Sequence, residues 1–479
     1  MRGFPYERLF FLLLISTFFT SFGNAQEVWS LQRCIEYARD HSLNIKQADY
    51  NVTLAHVNAR QARLERLPNL SASVTGGVQW GRTIDPTTND FNNQRISFNS
   101  YGVNANALVY GGGRITNGIR QMDVQLKASE YDSDYAFNLT ALNIANAYLQ
   151  ILQSEEQLEN ARKRHELSLK QLEQTEKLIE AGVIPENDRL DILAQVARDE
   201  QAIVQAENLV EFNYLNLKDQ MFLDLSTEIK VEAPELVIPA DANPEAMNFL
   251  ELYTQALGTQ PQVKAEEYRL ESAIIGESIA KASLYPTLAV FAGIDTRWSS
   301  AAKSVTGFQS DIQEQTIYID NTPVTVGFPV DIPLLEKTSY RDQLDQNFGQ
   351  NLGISLSLPI FNNGRSAASL QRAEISTKIA DVRNEQVKQQ LRTEVHTALA
   401  NARAAHRAYE ASLKSYEAAQ RAFENAQKRF DLGSINTLEY TSARNALDMA
   451  ENDLTFNRYD YLFRLKILDF YLGREIKLD

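Results

Sequence analysis

The side chains best suited to hold a metal or move a proton are five histidines, His41, His56, His165, His396 and His406. Their spacing gives them no partners. None forms the His-Glu-x-x-His pattern that sets two imidazoles and a general base on one helix face, and no paired metal spacing is present. Gly111, Gly112 and Gly113 could cradle a phosphate with backbone N–H groups. The run lacks the Gly-Lys-Ser/Thr ending that completes such a loop, and it lies where an alternating segment must swing into a helical one, a passage that needs glycine for its backbone alone. The single cysteine, Cys34, cannot form an internal disulfide and reads as a small buried apolar residue. No catalytic residue, metal ligand or cofactor is predicted, and the chain is not expected to be an enzyme. Acidic side chains outnumber basic ones, 62 to 47, for a formal charge of −15. That balance argues against nucleic acid as a partner; it fits a soluble surface, or the walls of a passage that favours cations.

With no reactive constellation, the elements carry the reading. Only 21 glycines and 13 prolines punctuate 479 residues, so the elements must be long. Arg2 and Arg8, an apolar run from Leu9 to Phe19, and Gly23-Asn-Ala25 read as a secretory signal peptide over residues 1–25. The apolar run is shorter than the roughly 20 residues of a spanning helix, and nothing later in the chain resembles one. An exported chain of this kind enters a membrane only as β-structure.

The chain repeats itself. Leu67-Pro-Asn-Leu70 and Tyr285-Pro-Thr-Leu288 each open an alternating segment that reaches tryptophan, Trp80 or Trp298, twelve residues after the proline. Tyr110-Gly-Gly-Gly-Arg114 and Phe361-Asn-Asn-Gly-Arg365 then start helical stretches, and Gly113 to Gly182 spans 69 residues, as does Gly364 to Gly433. Equal lengths point to duplication. The expected organisation is a first repeat at 26–225, with a strand pair near 69–80 and 97–110 and a long hairpin at 114–225. A linker at 226–248 contains a short β-like run at Ile229 to Glu232. The second repeat at 249–472 has strands near 286–298 and 348–359 and a hairpin at 365–472, with a tail at 473–479. The outer loop is short in the first half and about fifty residues long, 299–347, in the second.

From Leu391 through Val395, Ala398, Ala402, Ala405, Tyr409, Ser412, Tyr416, Ala419, Phe423 and Ala426 to Phe430, apolar and small residues recur at spacings of four and three. This is a sustained coiled-coil seam. Beyond the turn, Ile435, Ser442, Met449, Phe456, Phe463 and Phe470 lie seven apart and predict the matching seam of the partner helix. Long antiparallel hairpins follow. They hold too little core to stand alone and are expected to pack against other hairpins, including those of other chains.

The strands separate such a protein from an ordinary coiled-coil stalk. Leu70, Ala72, Val74, Gly76, Val78 and Trp80 alternate with Ser71, Ser73, Thr75, Gly77 and Gln79. Val103, Ala105, Ala107 and Val109, the set Leu288, Val290, Ala292 and Ile294, and the set Leu352, Ile354, Leu356 and Leu358 behave alike, although Phe291 falls on the polar side. Lipid outside and water inside impose this period of two. Trp80 and Trp298 are placed as interface aromatics. Four strands cannot close a barrel, so several chains must share one.

With its repeat, its passages Leu358-Pro-Ile-Phe-Asn-Asn-Gly-Arg365 and Val109-Tyr-Gly-Gly-Gly-Arg114, and its glycine tip turns, the chain resembles the outer-membrane efflux protein family, the TolC-like channels, over nearly its whole length. The resemblance implies a mainly α protein with membrane β. It would form a homotrimer whose hairpins make an α-barrel through the periplasm and whose strands make a shared 12-stranded barrel in outer-membrane lipid. A periplasmic adaptor and an inner-membrane pump, of RND or ABC type, are the implied partners. In the family the tip turns meet the adaptor and acids just beyond them ring the aperture. Carried over, the tips are Ala181, Gly182 and Val183, and Leu432, Gly433 and Ser434; the ring candidates are Glu439, Asp188 and Asp191. The next family acid aligns with Ser442, a departure, and acids at a helix start are equally at home as partners of its dipole. The implied function is an exit duct for efflux or secretion. A coiled-coil scaffold or adhesin, and a periplasmic adaptor, are the rival readings; two equal hairpins with two strand pairs disfavour both.

Overall fold

A computed structural model of the chain describes residues 27–84, 91–234 and 243–474. The expected signal peptide, the tip of the first outer loop, part of the linker and most of the tail lie outside them.

Long elements dominate. The first half runs β1 (Glu27–Trp29), α1 (Leu31–His41), α2 (Leu43–Leu64), β2 (Asn69–Ile84), β3 (Phe91–Gly111), α3 (Arg114–Glu180) and α4 (Asn187–Met221). After β4 (Ile229–Val231) come α5 (Phe249–Thr259), α6 (Pro261–Ala282), β5 (Thr287–Ser299), β6 (Lys303–Ile319) and β7 (Thr322–Lys337). The chain then continues through α7 (Tyr340–Gln346), β8 (Gly349–Ser357), α8 (Arg365–Asp431) and α9 (Thr437–Tyr471). The helices of the two halves agree residue for residue in length: 11, 22, 67 and 35 in each. At 1.5 Å per residue, α3 and α8 are each about 100 Å long.

Two compact units divide the described residues. One comprises Val57–Asp123 and Glu271–Lys378 and holds the larger sheet and a hairpin; the other comprises the remainder and is helical apart from β1 and β4. Each unit draws corresponding segments from both halves.

In the helical unit, α1, α3 and α4 close over Cys34, Ile144, Ala145, Ile151, Leu217 and Met221, while α5, α8 and α9 close over Ala256, Val263, Leu391, Val395, Ala402 and Leu468. The predicted α8 seam faces inward along its length: every position from Leu391 to Phe430 is buried or half-buried. The α9 seam does not. Met449 and Phe456 are 67% and 54% exposed, and the buried stripe instead carries Tyr440, Arg444, Ala450, Thr455, Tyr459 and Leu462. A repeat of seven marks a stripe without saying which neighbour covers it. The β-like run of the linker pairs in parallel with the residues just beyond the expected signal, Trp29 opposite Val231, and the Tyr148 hydroxyl donates to the Glu232 carbonyl at 2.6 Å. Removal from water pushes the Cys34 thiol up to about 12, which makes it inert.

In the other unit β2, β3, β5 and β8 form one antiparallel sheet in that order. The stretch expected as a long outer loop is mostly β-structure. Among the described residues β6 and β7 pair only with each other, about a two-residue turn in which Asp320 and Asn321 take the left-handed backbone, φ 50° and 64°. That is the hairpin geometry Asp and Asn best tolerate. Three prolines, Pro323, Pro329 and Pro333, stand at positions of one parity on β7. All three backbone nitrogens therefore point to the same side of the strand, which is its solvent edge, since prolines facing β6 would delete ladder donors.

Candidate functional site

The sheet sorts its side chains into two faces. Register places Leu70 beside Ala105, Ala292 and Leu352 in one row, and Ala72 beside Val103 and Ile294 in the next. On this face Leu352 and Val74 are 80% and 73% exposed. Ser71, Asn104, Gly293 and Asn351 make a row on the opposite face, with Ser73, Gly102, Asp295 and Gly349 following. The alternation read from sequence is thus carried through most of all four strands. It departs at Gln350, opposite Ile294 on the apolar face, and at the end of β3, where a bulge between Leu108 and Tyr110 sets Tyr110 rather than the predicted Val109 opposite Leu288. Phe291 does stand on the polar face, and register explains how: it lies opposite Gly353, where its ring occupies the space of a side chain. Phe98 covers Gly77 in the same manner.

β2 and β8 are the outer strands of the sheet and have no partner beyond it among the described residues. An edge of unpaired N–H and C=O groups beside a bare apolar face is unstable in either water or lipid.

The two tryptophans share the apolar face but not a row. Trp80 stands opposite Arg95 and Trp298 opposite Asn99, four positions apart along β3. Trp298 packs beside Tyr340 of α7, ring centroids 5.5 Å apart, and the Tyr340 and Tyr101 hydroxyls are 2.6 Å apart. The Gln343 side chain holds α7 in place: its amide donates to the Ser299 carbonyl at 3.0 Å and its oxygen accepts from the Ser299 N–H at 2.9 Å.

In the helical unit the tip residues form matched turns. Gly182 takes φ 73° and Gly433 φ 64°, and both helices end with the same paired bonds. Gly182 N–H reaches the Ile179 carbonyl and Val183 N–H the Leu178 carbonyl, each at 2.9 Å. Gly433 and Ser434 repeat this with Phe430 and Arg429 at 2.9 and 2.8 Å. This is the Schellman ending, which needs a left-handed residue after the helix. Leu432 and Val183 are left exposed. Beyond the second turn Asn436 caps α9, its side chain accepting from the Glu439 N–H at 2.9 Å, and the Glu439 side chain is exposed. Asp188 is half-buried in the first turn of α4, and Asp191 is exposed one turn on.

About three turns beyond the second tip lies a buried ion cluster that sequence reading did not find. Arg444 of α9 donates to Asp199 of α4 at 3.0 Å, to the Ser168 hydroxyl of α3 at 2.8 Å and to the Arg164 carbonyl at 2.7 Å. Ser168 in turn bonds Asp199, and the Gln195 amide donates to the other Asp199 oxygen at 2.9 Å. Asp448, 3.9 Å from Arg444, is pushed up to about 6 by burial, against the pull of Arg444 and Arg164. Burial likewise raises Glu451, beside Arg164. The visible signal was a charged residue four positions after Tyr440, on the true α9 stripe rather than the predicted one.

Among the described residues no helix is long and apolar enough to cross a membrane, and no group of three metal-capable side chains stands together.

A sequence-family description, "Outer membrane efflux protein", matches residues 34–219 and 252–474. No curated protein sequence matches. Among solved structures, CusC is 17% identical over 96% of both chains, with a TM-score of 0.72; its structures concern transmembrane channel formation. The outer membrane protein VceC of Vibrio cholerae is 18% identical over 93% of this chain and 96% of its own, also at 0.72. The CmeC outer membrane channel of Campylobacter jejuni is 16% identical over 94% and 86%, again at 0.72. At such identities these likenesses concern the fold.

Proposed function

The chain belongs to the outer membrane efflux protein family, and from that premise we propose that it is the exit duct of a tripartite efflux machine. It sits in the outer membrane, reaches into the periplasm and conducts passively what an inner-membrane pump delivers through an adaptor. The family is one of channels, not of enzymes. The observation that carries the reading is the four-stranded sheet with one apolar face bare and both edges unpaired. Lipid takes the face, and neighbouring copies take the edges.

Three copies give twelve strands and a closed barrel, its polar face turned to water. Met449 and Phe456, exposed on α9, then pack on helices of the next copy. The repeats at 26–225 and 249–472, joined by 226–248, are the two halves of a duplicated duct element, a reading their equal helix lengths support. The tips at Ala181, Gly182 and Val183 and at Leu432, Gly433 and Ser434 are the docking surface for the adaptor, and Glu439, Asp188 and Asp191 are the candidate acids of the aperture. The pump is of the RND or ABC class, which mass spectrometry of partners recovered from cross-linked cells distinguishes.

The deciding measurement is the mass of the protein particle extracted from outer membrane in mild detergent. Three chains per particle are expected; a monodisperse monomer would defeat the shared barrel.

A further inference from the structure

The apolar face of the sheet changes character toward the end that carries the β2–β3 hairpin. From Leu70 to Trp80 it is ten residues along β2, roughly 34 Å, which a tilt of about 45° reduces to some 24 Å of height, the thickness of an outer-membrane apolar band. Trp80 therefore stands at the band's far boundary, on the side away from the helices. There the same face acquires charge. Register sets Trp80 opposite Arg95, Arg82 opposite Asn93 and Ile84 opposite Phe91, so Trp80, Arg82, Phe91 and Arg95 all share the lipid-facing side.

Each guanidinium lies over a ring: Arg82 is 4.5 Å from the Phe91 centroid and Arg95 5.8 Å from that of Trp80. All four side chains are exposed. Arg82 and Arg95 are diagonal neighbours, about 7–8 Å apart at the backbone and within reach of one bound group. No carboxylate among the described residues pairs with either. Two unpaired like charges repel, and an arginine on the lipid face costs about 2–4 kcal/mol at the midplane but only about 0–1 near the interface. The pair is thus tolerated at this boundary and has no anionic partner among the described residues.

The outer-leaflet glycolipid supplies one. Guanidinium forks match phosphate oxygens bidentately, and rings beneath them fix the guanidinium planes while offering apolar edges to an acyl chain. We infer that Arg82, Arg95, Trp80 and Phe91 form a binding site for the phosphate of an outer-leaflet glycolipid, with the apolar band below taking its acyl chains. The inference rests on the outer-membrane placement of the sheet.

Native mass spectrometry of the whole protein in detergent tests it, with phosphorylated lipid A or its dephosphorylated form added as the probe. The unaltered protein should retain the phosphorylated lipid about tenfold better, and the double variant Arg82→Gln, Arg95→Gln should hold both forms at the lower level. Equal retention of the two lipids by the unaltered protein, or undiminished retention by the variant, overturns the site. Full displacement by excess inorganic phosphate overturns it in favour of a free-anion site. Single-channel current through the same preparations reads the duct separately. Its absence in the unaltered protein defeats the function proposed above while the lipid counts still stand, and equal currents in both proteins establish that the variant folds.

Discussion

At the scale of single residues, the groups that matter are those whose charge has been taken out of water. Asp448 binds its proton more tightly in the folded protein than in the unfolded chain, because burial outweighs Arg444. Its pKa is raised, so between about pH 4 and pH 6 the native state holds the extra proton, and stability falls as pH rises through that window. Asp448→Asn is therefore expected to raise the unfolding midpoint at pH 7.5 by an amount corresponding to at most about 3 kcal/mol, with little effect at pH 4. A variant that gains equally at both pH values would show that the carboxyl is not the cause. Glu439 makes a different case, being exposed on the first turn of α9. If three copies converge there, the ring of carboxylates attracts cations, and Glu439→Ala should weaken cation block of single-channel current; unchanged block removes Glu439 from the aperture.

At the scale of elements, glycine and aromatic side chains on the polar sheet face act as pairs. Gly353 lies beneath the Phe291 ring. Gly353→Leu alone should destabilise by about 1–3 kcal/mol through crowding, and pairing it with Phe291→Ala should recover most of that. A double-mutant cycle with no coupling would mean the ring moves aside freely. The same scale shows what the sequence could tell. The faces of β2, β3, β5 and β8 were legible because lipid and water impose a strict alternation, and the α8 seam because alanines and aromatics at four-three spacing leave no second choice. Phe291 broke the pattern for want of its cross-strand partner, which only register supplies. The α9 stripe departs from its seven-residue repeat because Met449 and Phe456, though apolar, stand exposed on this chain. The Arg444 cluster was invisible because its members lie on three helices, and Ser168, Asp199 and Arg444 look like ordinary helix surface until those helices are packed. The β6–β7 hairpin reads as loop because prolines and charges interrupt its alternation, although Asp320-Asn321 is itself a hairpin-turn signal.

For the whole molecule, helices of equal length recur in each half, and under the proposed trimer three copies would give six similar hairpins and twelve strands. Four strands of one chain do not close a barrel, and among the described residues the sheet keeps a bare face and two open edges. The solvent-edge prolines of β7 serve an opposite end. The β6–β7 hairpin pairs with nothing else in the sheet system, and a long two-stranded ribbon with aliphatic side chains such as Val330, Ile332 and Leu334 in view is a template for fibrillar stacking. An edge missing three amide donors cannot seat another strand, so β7 closes one of the ribbon's two edges to cross-β stacking and leaves that of β6 as the open one.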